Sequence, residues 1–285
     1  MIALIYICSV LFAVTQTVTT KIYAKESDNS IVFNTIKAIF ALLFFGLISI
    51  GGVRMHIPSI IYGCIYGISL SLAMYTAYTA ISLGIASLTS VLVSFSVIIP
   101  IVYGITFCGE NMTAPKAAGM FFLVLALIFA NIDKMRTKPE KETNYVKWSL
   151  FVFATFVLNG TCSVLQKMHQ NYYPGEYLNE FMLSAMILST LAFVVVFLFK
   201  VSTEEFKATK GKVHAAVSGA ANAITNYSTL ALAGLEHASV LYPLISAGTI
   251  LAVLLCGRFI LKESLKKNHL IGLACGLAAV VFLKL

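Results

Sequence analysis

The sequence predicts an all-α integral membrane protein, with ten transmembrane helices arranged as two inverted five-helix repeats. Three observations carry that expectation. The 285-residue chain divides into ten apolar stretches, each near the ~20 residues a helix needs to cross a hydrocarbon core. Hydrophobic residues make up 59% of it and charged residues 11%. Soluble domains are about a quarter charged, so a soluble fold of this size would lack the charge to cover its surface. The last five stretches echo the first five, and two odd-numbered halves must enter a bilayer from opposite sides, as in many secondary transporters.

The spans read as 2–22, 31–53, 57–82, 85–108, 115–132, 146–169, 178–200, 213–234, 237–261 and 268–284. Pro58 and Pro115 stand at or near first helical positions, where a missing N–H costs nothing. Leu83-Gly84-Ile85-Ala86 joins spans three and four, and Gly234-Leu235-Glu236-His237 joins eight and nine; links this short force antiparallel neighbours. Pro100 and Pro243 fall inside or near the start of spans four and nine, where each frees a backbone carbonyl and bends its helix. The pairs Gly63/Gly67 and Gly272/Gly276, and the run Ser218-Gly219-Ala220-Ala221, present small faces for close helix packing. One long basic stretch, 134–147, separates a first half (1–133) from a second (148–285).

The duplication shows in register. Thr15–Lys21 lies over Thr161–Lys167, Tyr78 over Tyr227, Ser90-Val91-Leu92 over Ser239-Val240-Leu241, and Glu110 with Gly119 over Glu263 with Gly272. The matches keep one order at nearly one offset, the mark of an internal repeat.

The polar first span ending in Lys21, the tight link between spans three and four, and the Glu-x8-Gly openings of spans five and ten carry a resemblance. The chain resembles the drug/metabolite transporter superfamily in its EamA-like branch, one unit per half. Gly109-Glu110 keeps the family's Gly-Glu pair; the second copy has Lys262-Glu263, and Ala13-Val14 and Asn159-Gly160 stand where an aromatic-Gly pair is common. The resemblance implies a ten-helix carrier with a central cavity, moving small metabolites or drugs by alternating access.

Charge placement narrows the function. No carboxylate lies at mid-span; Glu180, near the start of span seven, comes closest. Proton-coupled carriers usually keep such an acid as relay, so facilitated export, exchange or coupling through another group is expected. No aspartate pair of an intramembrane protease, Gly-x-Ser-x-Gly or His-Glu-x-x-His occurs, so no enzyme is expected. The six cysteines show no C-x-x-C spacing, and no metal or cofactor is expected. The +8 net charge reads as the basic loops of a membrane protein, not as a nucleic-acid surface. The first span lacks a basic n-region and a small-residue cleavage site, so no cleavable signal peptide is expected.

Lysines do enter the apolar register. Lys21 and Lys167 lie near span ends, where a long side chain snorkels to the interface; the alternative is that they pair with a substrate carboxylate or with an acid such as Glu180. Lys37 lies one or two turns into span two, where a bundle-facing position is equally open. The face opposite the linker carries Arg54, Lys116, Lys167 and Lys284; the other basic residues, Lys37 apart, fall on the linker side. By the positive-inside rule the linker is cytoplasmic and both termini are outside, although the resembled superfamily usually keeps its termini inside.

A midplane site needs polar groups facing the bundle. Asn222 and Asn226 share a face of span eight, with Tyr227 beside them and Tyr78 and Tyr75 in the equivalent part of span three. Gln16 in span one and Asn159, Ser163 and Gln166 in span six form a second polar set, and Tyr242 precedes Pro243. Packing between helices is the plainer role for each; together they are the candidate substrate-binding residues. The expected function is a secondary transporter in a bacterial-type plasma membrane. It moves a small organic metabolite, amino-acid-like or amphipathic, by export or exchange. A lipid or lipid-linked-sugar flippase and a non-transporting membrane sensor or assembly subunit are the alternatives. The expected partners are that solute and the lipid bilayer, with the chain a monomer or homodimer.

Overall fold

The computed structural model describes residues 2–27, 29–50, 52–83, 89, 92–135, 144–259 and 267–285, with backbone alone at 82, 133–135 and 257–259. Ten principal helices occur among them: α1 Ile2–Glu26, α2 Ser30–Ile48, α3 Ile57–Leu83, α4 Ile98–Phe107, α5 Ala114–Met135, α6 Tyr145–Tyr172, α7 Leu178–Lys200, α8 Lys212–Ala233, α9 Ala238–Phe259 and α10 Lys267–Lys284. A six-residue helix, Thr203–Ala208, lies between α7 and α8. Among the described residues there is no strand. Eight helices (α1, α2, α3, α5, α6, α7, α9 and α10) are long and apolar enough to cross a membrane. Their outer faces carry Leu47, Leu150, Leu198 and Phe199, all more than 60% exposed, an apolar surface suited to lipid. The chain is an all-α, multi-pass membrane protein.

Two expected spans differ. α4 has ten residues and is preceded by a 3-10 turn at Phe95–Val97. Pro100 has no N–H for the Ser96 carbonyl, so the chain tightens just ahead of it and resumes as α-helix. α8 has spanning length but is not among the eight, because Ser218, Asn222, Thr225 and Asn226 dilute its apolar character. Pro243 lies inside α9. α2 stops at Ile48, short of the expected 53; the 52–56 segment is held instead by Asn179, whose Nδ2 donates to the Gly52 carbonyl at 3.0 Å, and by the Glu180 carboxylate, which accepts from the Arg54 amide. The link through 84–88, the Ser90-Val91 match, most of the basic linker, and Lys262-Glu263 lie outside the described residues.

The chain forms two compact units, Met1–Ser71 with Met168–Leu235, and Leu72–Lys167 with Glu236–Leu285. Each draws on both halves of the sequence, and α3 and α6 contribute to both. In the first unit α1 packs on α8, α8 on α2, and α2 on α7. Without a hydrophobic drive between helices in lipid, close fit must hold them. Gly219 of α8 supplies it: an added Cβ would lie 2.9 Å from Phe40 Cβ on α2. Gly67 of α3 does the same, its absent Cβ 2.5 Å from the Ala185 carbonyl on α7. Thr190 and Thr35 add interhelical bonds, to the Ala38 carbonyl at 3.1 Å and the Phe193 carbonyl at 3.3 Å. Asn29 caps α2 by accepting the Val32 amide at 3.1 Å.

In the second unit α10 packs on α5, and α9 on α4, α5 and α10. Leu123, Leu127, Ala247 and Ala279 form its buried centre. Gly272 brings α10 to within 2.9 Å (measured from an added Cβ) of the Ala130 amide on α5.

Candidate functional site

In the first unit a chain of polar side chains links four helices. Lys37 on α2 is 8% exposed, and its Nζ donates to Gln16 Oε1 on α1 at 3.1 Å. Gln16 Nε2 donates to Asn222 Oδ1 on α8 at 3.2 Å. Asn226 Nδ2, one turn along α8, donates to the same Oδ1 at 3.1 Å and to the Asn222 carbonyl at 2.9 Å. Tyr66 on α3 completes it, its hydroxyl donating to Asn226 Oδ1 at 2.8 Å. The direction of every bond follows from one end. An ammonium can only donate, so Gln16 must turn its oxygen to Lys37 and its nitrogen to Asn222, which must answer with oxygen.

The sequence-predicted residues Gln16, Asn222 and Asn226 therefore meet in one network. All three are partly exposed. Tyr227 is not in the chain; its ring packs 5.5 Å from Phe45. It also lines a cavity of about 330 Å³ with Arg54, Glu176, Asn179 and Glu180. Glu180, the acid expected nearest the interior, is 4% exposed and anchors the 52–56 segment.

The other candidates lie in the second unit. The Tyr242 hydroxyl donates to the Ser163 carbonyl at 2.6 Å, tying α9 to α6. Gln166 is buried and Asn159 partly exposed. Tyr75 and Tyr78 are 48% and 40% exposed on α3.

Lys167 corrects the snorkelling expectation. It is 7% exposed and turns inward, its Nζ donating to the Glu236 carbonyl at 2.7 Å. Beside it the Gly-Glu pair shows its purpose. Gly109 takes φ +65°, a conformation that favours glycine, and this turns Glu110 back over α4 toward the start of α9. The Glu110 carboxylate accepts the Ala238 amide at 2.6 Å and the Ser239 amide at 2.8 Å, two of the donors a helix N-terminus leaves unmatched. Gly104 makes room, since an added Cβ would meet Glu110 Oε2 at 2.7 Å. Burial, the largest influence on the Glu110 carboxyl, pushes its pKa up. Hydrogen bonds from Ser239 and Ala238 and the Lys167 charge outweigh it and hold the pKa below the usual value.

Sequence reasoning missed Tyr66 and a second polar cluster. Ser59 Oγ lies 2.8 Å from His56 Nδ1 and 2.7 Å from His169 Nε2, and Gln170 Nε2 is 2.9 Å from His169 Nδ1. The His56 ring stacks on Tyr177 at 3.8 Å, so this cluster fastens the 173–178 segment to the start of α3. Its one sequence signal was polar side chains at a span end, which every span end has.

No family model and no curated protein matches the sequence. The backbone does match a solved structure described only as "Crystal structure of protein", at a TM-score of 0.77 and 14% identity, over 99% of this chain and 95% of that one. The fold is thus shared along nearly the full length of both chains.

Proposed function

We propose that this chain is a secondary carrier of a small organic metabolite, amino-acid-like or amphipathic, working by alternating access in export or exchange. In this reading it is an EamA-like member of the drug/metabolite transporter superfamily, with ten spans in two inverted repeats in a bacterial-type plasma membrane. The observation that carries the reading is the Lys37–Gln16–Asn222–Asn226–Tyr66 chain. Its amides are partly exposed on otherwise apolar helices. An unsatisfied polar group facing hydrocarbon costs several kcal/mol, so polar groups at membrane depth are buried in protein or line a water-filled cavity. In this reading the amides line such a cavity, and it is the solute site.

A thermal-shift screen of purified protein against a metabolite library tests this, because a ligand that binds only the folded state raises the melting point. The Asn226→Ala variant, which takes away the partner that Asn222 and Tyr66 share, should weaken binding of the best hit by about 1–3 kcal/mol, whatever it does to the melting point. Unchanged affinity with a lowered melting point would make Asn226 a helix-joining residue and remove it from the site.

A further inference from the structure

The donor and acceptor inventory of the same chain names the chemistry it would take. Every side-chain amide oxygen in it is engaged: Gln16 Oε1 by Lys37, Asn222 Oδ1 by Gln16 and Asn226, and Asn226 Oδ1 by Tyr66. Among the described residues, five N–H donors remain beside them. Gln16 Nε2 keeps one N–H, Asn222 Nδ2 keeps two, and Lys37 Nζ keeps two. Lys37 is also a buried cation with no carboxylate in contact among the described residues. In the first unit Glu180 accepts from the Arg54 amide and Glu26 faces His214 at 3.7 Å. A buried ammonium without a counter-charge is costly, and the N–H donors gathered around it fit an acceptor-only anion.

We propose that Lys37, Gln16 and Asn222 form the seat for the carboxylate of the transported solute, with the Lys37 ammonium as its counter-charge. The carboxylate would accept from the ammonium and from the two amide nitrogens, charge-assisted bonds stronger than neutral ones. An ester or primary amide of the same solute has no full negative charge to offer. This assignment rests on the carrier reading and narrows it to carboxylate-bearing solutes, anionic or zwitterionic.

Proteoliposomes containing the purified full chain test it. They are loaded with a mixture of L-amino acids, short mono- and dicarboxylates and the matching primary amides, and release is followed by mass spectrometry. Wild type should release one or more carboxylate-bearing solutes at least about tenfold faster than the matching amides, the worth of one charge-assisted bond. Lys37→Met should lose that release by at least about tenfold and Lys37→Arg should retain most of it. Lys37→Met should also melt no lower than wild type, because an apolar side chain removes a buried charge that no protein carboxylate balances. Which solutes are released separates zwitterions from plain anions. Release of amides alone, or equal release of acids by Lys37→Met, overturns the carboxylate seat and leaves the carrier reading standing. No release of any solute above protein-free liposomes overturns both. A lower melting point for Lys37→Met, with acid release intact in the folded fraction, makes Lys37 a structural strut and overturns the seat.

Discussion

Lys37 sets the polarity of everything bonded to it. Being donor-only, it orients Gln16, and through Gln16 both asparagines of α8. Glu110 plays the opposite part, an acceptor-only group that orders two amides at the start of α9. Replacing it with Gln leaves one of those amides facing an Nε2 donor, so Glu110→Gln should cost about 1–3 kcal/mol at neutral pH. The pH dependence has a definite sign. Because the folded-state pKa of Glu110 is lowered, its contribution is present above the unfolded pKa and is lost as pH falls through the folded value. The gap in melting temperature between wild type and Glu110→Gln should be full at pH ~7 and close below about pH 4; a gap independent of pH would contradict the ionic clamp. At this scale the sequence was partly legible. The i,i+4 spacing of Asn222 and Asn226 is enough to put both on one helical face. Their partners, Gln16 and Tyr66, lie in distant spans, and no periodicity reports a pairing across 206 and 160 residues.

Among the elements, small residues decide how closely helices meet. The Gly63/Gly67 and Gly219 faces were legible as packing surfaces, and each lies against another helix within its unit. Gly67→Ala would place a Cβ 2.5 Å from the Ala185 carbonyl of α7, a backbone atom that cannot step aside. The variant should lose about 1–3 kcal/mol as α3 is pushed away. Gly46→Ala is the control, for nothing lies within 4 Å of its added Cβ, and it should hold or raise the melting temperature by helix propensity. Equal effects at both positions would contradict the packing account. Helix ends were less legible than helix centres. α2 ends early because side chains of another helix, Asn179 and Glu180, capture the following backbone, and hydropathy alone carries no record of such capture.

For the whole molecule, hydropathy identified a multi-pass helical protein, and composition alone made a soluble fold untenable. The two compact units, each built from both halves, were not legible, since sequence repeats report ancestry of segments and not which segments pack together. Charge bias in the loops predicts a cytoplasmic linker and external termini. A reporter active only in the cytoplasm, fused after Leu285, should stay silent; strong activity would reverse the orientation.

The central claim is that the chain carries a solute by exposing one site alternately to the two sides. Trans-stimulation in proteoliposomes measures that directly. With a labelled solute identified by the thermal-shift screen trapped inside, adding the unlabelled solute outside should accelerate efflux several-fold, because a loaded carrier returns faster than an empty one. Efflux unchanged by the external solute, or no efflux beyond that of protein-free liposomes, would contradict the account.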